Sequence, residues 1–399
     1  MKVLQINALA DYRSTGRNTI ELSEYLTKNG HESWIAYSKC LKATENSYRI
    51  NSNFDGKFHA LMSRITGMQG YFSYFATKRL IDFMKKKNFD IVLLGNLHNN
   101  YVNIPMLLKY FLNYNVHCVI VLHDCFMFTG KCVYYTEYNC YKWKSCCHHC
   151  KFFKKNNPSW FFDNTKKLYN MKKKYYDKMD NMGVIGVSKW ITNEAKQSIL
   201  KNAKIIDSVY NWVDLDIFLP KPNNLKSEYG LNNKFVILGV ASKWMKNKGI
   251  EFFYNLSDEL PDDCHIVLVG KNTNIKNSEK ITYIDEIHDI YMLTQLYNMA
   301  DVFLNLSLEE TFGKVSAEAL SCGTPIITTN LTANPELAGK NCGYVLENRD
   351  TDTILKYINI VKENKKEFYT SYARKFAEDN FDKNKNLQKY CNIFNELLK

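Results

Sequence analysis

No stretch of the 399 residues approaches 18 uninterrupted apolar positions, so no membrane-spanning helix is expected. Proline and glycine are scarce, 7 and 17 residues, which argues against long disordered linkers. The opening MKVLQINALADYRSTG lacks the layout of a signal peptide, because an acid and turn residues interrupt it within its first dozen or so positions. A cytoplasmic protein is therefore expected, its 12 cysteines reduced or metal-bound rather than paired as disulfides. No motif that reads DNA or RNA is present, so nucleic acid is not the expected partner even though the net charge is +12.

What is present is an ordinary globular composition, 45% hydrophobic and 24% charged, in a chain long enough for two or three domains. Short apolar runs alternate with helical stretches, the pattern of parallel α/β architecture. KVLQIN, ESWIAYS, DIVLLGN, HCVIVLHD, GVIGVS and KIIDSVYN read as strands of a first domain. NWVDLDIFLPKPN (211–223) breaks the pattern and reads as a linker. KFVILGVAS, HIVLVG, ITYID, DVFLNLS, TPIITT and CGYVLE then restart it. The expectation is two Rossmann-like doubly wound parallel-sheet domains, 1–213 and 214–399, facing across a cleft, with ligands beyond the carboxyl ends of the strands. A Cys- and Lys-rich insert occupies 125–178, and a last helix, 385–399, is expected to dock back on the first domain. Residues 151–178 carry nine Lys against two Asp. They read either as a solvated face or as a contact with an anionic membrane surface or acidic ligand.

The chemistry concentrates in EETFGKVSAEALSCGTPIITT, from Glu309 onward. A helix is expected to begin near Phe312-Gly313, and its first N–H groups suit a phosphate. Gly313 would let a ligand approach the backbone. Glu310 precedes the helix and Glu318 lies in its second turn. Carboxylates beside a phosphate are repelled by it but accept hydrogen bonds from hydroxyls. A nucleoside diphosphate sugar has hydroxyls on both sides of its phosphates. The plainer reading is two acids favoured by the helix dipole. Earlier, Lys243 and Lys248 in GVASKWMKNKG bracket a turn at a strand end. They read as a diphosphate clamp or as solvated surface lysines.

EETFGKVSAEALSCGTPIITT, LGVASKWMKNKG, VYNWVDLDIFLP and VIGVSKW together resemble the retaining GT-B glycosyltransferases of family GT4. The combination of LHDCFMFTGKC with GNLHNNYVNIP resembles the bacterial subgroup for colanic-acid, capsular and lipopolysaccharide synthesis. The resemblance covers nearly the whole chain and is most specific over 234–347. It implies transfer of a sugar from a UDP- or GDP-sugar to a glycan or lipid-linked acceptor with retained configuration and no catalytic metal; the charge of 151–178 would then hold the protein peripherally on the inner membrane face. It implies that Glu310 contacts the donor sugar and Glu318 the ribose, and that Lys243 and Lys248 hold the phosphates. Phe312, Gly313, Lys314 and Val315 would present backbone near the diphosphate. His123 would reach the sugar, and Gly16, in RSTGRN, would lie in a glycine loop. His98 is a weaker candidate for the acceptor. Lys243 stands where the family usually has Arg, which replaces a bidentate fork with a point charge. The DLD at 214–216 imitates a metal-binding motif of another fold but falls in the linker. The other readings are a polyanion-binding protein on a degenerate fold and a sugar-nucleotide epimerase or hydrolase.

The cysteines divide two ways. Cys147 and Cys150 form a C-x2-C that, with Cys132 and Cys140, suits a four-thiolate structural zinc site. The same residues also read as packed, reduced thiols.

Overall fold

The computed structural model describes residues 1–42, 44–155, 157–272 and 276–399. Asn156, inside the lysine-rich segment, lies outside them. The chain forms two compact units, Met1–Val209 with Leu387–Lys399, and Tyr210–Asn386. The units part a few residues before the boundary expected at 213.

In the first unit the strands are β1 (Lys2–Ala10), β2 (Glu32–Cys40), β3 (Ser47–Arg49), β4 (Ile91–Leu94), β5 (Cys118–Leu122), β6 (Met182–Gly186) and β7 (Ile205–Ser208). They form one sheet in the order β3-β2-β1-β4-β5-β6-β7, and all its pairings are parallel. The helices between them are α1 (Arg13–Lys28), α2 (Asn53–Thr66), α3 (Tyr74–Lys87), α4 (Ile104–Asn113), α5 (Thr165–Tyr176) and α6 (Lys189–Lys196). β4, β5 and β6 are buried along their whole length. Helices cover both faces of a parallel sheet, so its central strands are apolar on both sides.

The second unit repeats the design. Its strands are β8 (Phe235–Lys243), β9 (Cys264–Lys271), β10 (Ile281–Ile284), β11 (Val302–Asn305), β12 (Ile326–Thr329) and β13 (Gly343–Leu346). Their order is β10-β9-β8-β11-β12-β13, again all parallel. Its helices are α7 (Leu225–Glu228), α8 (Ile250–Glu259), α9 (Ile290–Met299), α10 (Lys314–Ser321) and α11 (Thr351–Asn380). In both sheets the order reverses beside the first strand, so β1/β4 and β8/β11 are switch points where loops diverge and leave room for a ligand.

Helix α12 (Lys383–Leu397) closes the chain, and its residues from Leu387 belong to the first unit. There Tyr25 donates to Gln388 at 2.8 Å, and Leu397 approaches the backbone of Gly183. In the second unit Arg374 of α11 donates to the carbonyls of Leu215, Phe218 and Ser321. One planar guanidinium thus anchors both the residues after Tyr210 and the C-terminal end of α10.

Candidate active site

In the second unit the site grows from the β8/β11 switch point. β8 runs into a short 3-10 turn, Lys246–Lys248, that ends at Gly249 with φ +75°. A Cβ at Gly249 would lie 2.6 Å from the Leu306 carbonyl oxygen, so this residue must be glycine for the turn to press against the segment after β11. The backbone then ties the two together, Leu308 N–H donating to Asn247 O at 2.9 Å. This seating brings Lys248 Nζ to 2.5 Å from Glu310 Oε1. Glu310 is fixed in turn by its N–H donating to Thr332 Oγ1 at 3.0 Å and by its carbonyl accepting from Ala333 N–H. Both side chains keep partial exposure, 28% for Lys248 and 16% for Glu310. Beside them Asn247 Oδ1 is buried without a hydrogen-bond partner, an acceptor that a ligand hydroxyl could satisfy.

Gly313 follows, at φ +88°, and heads α10 without a capping side chain. The N-terminal end of a helix carries partial positive charge and favours an anion. Phe312 is buried against Phe381 and Tyr210, which holds the loop from below. Lys314 and Val315 are half-buried in the first turn of α10. Glu318 is only 3% exposed, and its Oε2 accepts from Tyr297 OH at 2.9 Å. The E-x7-E pair therefore splits into an accessible acid, Glu310, and a buried one, Glu318. Lys243 ends β8 exposed and forms no ion pair among the described residues. The structure thus brings Lys248 to Glu310 beside the head of α10, with Lys243 at the end of the same strand.

A polar network behind this site was not foreseen in the sequence. Asn305 Nδ2 donates to Ser316 Oγ and Asn334 Oδ1, and Asn334 Nδ2 donates to Thr329 Oγ1 and Ser307 O. It locks β11, β12 and α10 into one arrangement. Its only sequence signal is polar residues just past apolar strands.

In the first unit, His123 follows β5 half-buried. Its neighbour Asp124 is buried, accepts from Phe126 N–H at 2.8 Å, and lies 2.9 Å from His98 Nε2. Burial lowers the His98 pKa, but the Asp124 carboxylate outweighs it and the net shift is upward. Lys172 sits over the Phe126 ring and donates to the Phe126 carbonyl. It is 1% exposed, and burial drives its pKa down to about 7. The lysine run 172–174 therefore contributes one cation to the interior, contrary to a wholly solvated or membrane-facing segment.

Gly16 corrects an expectation. It lies inside α1, not in a loop, and its carbonyl accepts from Asp11 N–H at 3.2 Å. Asp11, ahead of α1, and Arg13, its first residue, instead stand at positive φ. A Cβ at Gly16 would press on the Ala10 and Asp11 backbone at 3.3 Å, so this glycine serves close packing of helix on strand. A polar cavity of about 780 Å³, also unforeseen, opens beyond β2 and β3, lined by Tyr12, Lys39, Arg49, Asn51, Lys57 and Asn100 among others. Asn51 is 4% exposed and its Oδ1 has no partner.

Cys132, Cys140, Cys147 and Cys150 lie close enough together for each to act on its neighbours' pKa. Among the described residues no group of three or more His, Cys, Asp or Glu is arranged to hold a metal ion. Burial pushes the thiols of Cys132 and Cys147 up to about 12 and raises that of Cys150. Cys140 is also a free thiol. Cys147 Sγ accepts from Gly130 N–H at 3.2 Å.

Residues 233–364 match the family described as Glycosyl transferases group 1, and they contain Lys243, Lys248, Glu310 and Glu318. The likeness to that family lies within the second unit. N-acetyl-alpha-D-glucosaminyl L-malate synthase of Bacillus anthracis is 27% identical over 54% of this chain and 60% of its own length. The O-antigen biosynthesis glycosyltransferase WclY of Escherichia coli is 25% identical over 53% of this chain and 58% of its own. The chain thus spans less than two thirds of either curated relative. Among solved structures, HepE of Anabaena in complex with UDP superposes with a TM-score of 0.68 at 16% identity, over 99% of this chain and 100% of that one. The chain therefore has the GT-B fold, two Rossmann-like units in one polypeptide.

Proposed function

We propose that the protein is a retaining glycosyltransferase that moves a sugar from a nucleoside diphosphate sugar to a glycan or lipid-linked acceptor in bacterial surface polysaccharide synthesis. The observation that carries this is the Lys248–Glu310 pair held beside the glycine-headed N-terminus of α10. A diphosphate leaving group gains negative charge as the glycosidic bond breaks. Fixed cations and an oriented helix terminus stabilise that gain without reorganising. Lys248, Lys243 and the head of α10 would supply this stabilisation. Glu310 would hold Lys248 in place before the donor arrives and then accept a hydroxyl of the transferred sugar. Glu318, engaged by Tyr297, would take a ribose hydroxyl. His123 in the first unit is assigned to sugar recognition by the family resemblance. The UDP bound to HepE supports a uridine donor, and the part of WclY in O-antigen biosynthesis supports a surface glycan acceptor.

The test is a thermal shift across UDP, GDP, ADP and CMP. Ligand that binds only the native state raises its stability once its concentration exceeds the dissociation constant. UDP is expected to raise the melting temperature of the wild type, and Lys248→Ala is expected to lose most of that rise. No shift with any of the four nucleotides would overturn the reading. Incubation with the UDP-sugar then separates transfer, which needs an acceptor, from hydrolysis or epimerisation, which do not.

A further inference from the structure

Helix α2 is built inside out. In NFDGKFHALMSRIT, residues Phe54, Phe58, Leu61 and Ile65 recur at the spacing of one helical stripe. Such a stripe ordinarily faces a core. Here Phe54 is 80% exposed, Phe58 49% and Leu61 44%, while the buried side carries His59 and Ser63. The inward face is fixed by polar contacts. His59 Nδ1 lies 2.9 Å from Ser73 Oγ, and Ser73 Oγ donates to Asp55 Oδ2 at 2.6 Å. Rolling the helix to hide its phenylalanines would break both.

The elements tied to α2 are exposed in the same way. Trp160 N–H donates to Arg64 O and Asn164 Nδ2 to Thr66 O, so the segment after the cysteines is pinned to the C-terminal end of α2. That segment exposes Trp160, Phe161 and Phe162. Ser73 opens α3, which exposes Tyr74 and Phe75. Eight of the sixteen exposed large apolar side chains among the described residues thus fall in 54–75 and 160–162. Concentration of this kind marks an interaction surface. Lys57 and Arg64 stand exposed beside the α2 stripe, and Lys154 and Lys155 lie exposed just ahead of Trp160.

We infer that this face seats the protein on a bilayer carrying anionic headgroups, with α2 lying in the interface. Apolar and aromatic side chains rimmed by cations match a surface of hydrocarbon below phosphate. The cavity of the first unit adds a reason for a lipid occupant. Asn53, Gly56, Lys57 and Ala60 of α2 line it, so a helix lying in the interface would set that polar cavity at headgroup level. The buried, unpartnered Asn51 Oδ1 there would accept a hydroxyl from the polar part of a membrane-borne acceptor. This last step rests on the transferase reading; the seating itself does not.

The test is flotation with vesicles of phosphatidylcholine alone and of phosphatidylcholine with phosphatidylglycerol at 3:1. The wild type should float with the anionic vesicles, and less so as salt is raised. The triple variant Phe54→Ser, Phe58→Ser, Leu61→Ser should lose binding at least tenfold while keeping its melting temperature and its nucleotide-dependent shift. Brominated lipid should quench wild-type fluorescence more than that of Trp160→Phe. The inference is overturned if the wild type ignores both vesicles, if the triple variant floats like the wild type, or if the wild type is a dimer that the triple variant dissolves without either binding vesicles. If the wild type floats and no nucleotide shifts its melting, the seating stands and the transferase reading fails.

Discussion

The first unit holds His98 against Asp124 just past β4 and β5, at 2.9 Å. The second holds Lys248 against Glu310 just past β8 and β11, at 2.5 Å. Both pairs occupy the carboxyl ends of strands at or beside a switch point, yet their surroundings differ. Asp124 is buried, has a backbone N–H on its other oxygen, and faces a second cation in Lys172, itself 1% exposed. Glu310 and Lys248 keep partial exposure and are held by backbone contacts from two separate segments. A buried ion pair is costly to break because the survivor stays desolvated, whereas an exposed one adds little stability. The same pairing of charges therefore serves structure in one unit and leaves the other pair available to a ligand.

The sharpest way to break this comparison is to remove the carboxylate from each pair. Asp124→Ala strands the His98 ring and the Lys172 ammonium and frees the Phe126 N–H, so a loss of about 3–5 kcal/mol is expected in denaturant unfolding. A loss below about 1 kcal/mol would mean that the pair is not structural. Glu310→Gln should do the reverse. Its stability should stay within about 1 kcal/mol of the wild type, while transfer falls on the order of a hundredfold, as for loss of one preorganised charge-stabilising contact. Equal effects of the two substitutions on stability would erase the distinction.

How much of this was legible in the sequence follows from where each signal lies. All strands but β3 were readable, because a parallel strand buried on both faces is a short unbroken apolar run, as in VILG and IVLVG, whereas the three residues of β3 are not buried. Glu310, Gly313 and Glu318 were readable because they share one local motif. The pairing of Lys248 with Glu310 spans 62 positions, beyond any local pattern, and was not foreseen. Lys172 was misplaced because a run of three lysines looks solvated, and nothing local tells which member turns inward. Gly16 was misplaced because α1 begins without a side-chain cap, with Asp11 ahead of it and its first residue Arg13 at positive φ, so the usual start signal is missing. Helix α2 gave no usable sign of its orientation, since its periodicity alone would send its phenylalanines to the core.

A subtler change attacks the geometry rather than the charge. Gly249→Ala places a Cβ against the Leu306 carbonyl at a residue with φ +75°. Left-handed backbone costs a non-glycine residue about 1–2 kcal/mol, and relief of the contact would pull Lys248 away from Glu310. The variant should lose about 1–2 kcal/mol and also most of the nucleotide-dependent thermal shift. Loss of stability with an unchanged shift would show that the turn does not position Lys248 for the ligand.

The smallest expected effect concerns Lys172, and its sign is set by linkage. Burial lowers its folded pKa to about 7, while in the unfolded chain an amine titrates near 10.4. Between these values the unfolded state binds the extra proton, so the contribution of Lys172 to stability improves as pH rises, by at most about 1.4 kcal/mol per pH unit. Lys172→Met keeps the apolar stem over Phe126 and deletes the titration. The variant should be at least as stable as the wild type near pH 7, as replacement of a buried charge by a hydrophobe of similar length often is. Its advantage should shrink steadily from pH 7 to pH 8.5. Melting curves of both proteins across that range would decide it. A constant gap would mean that Lys172 stays protonated in the folded protein through pH 8.5, held charged by Asp124 against its burial, and the interior pair of the first unit would then be a triad sharing one charge balance.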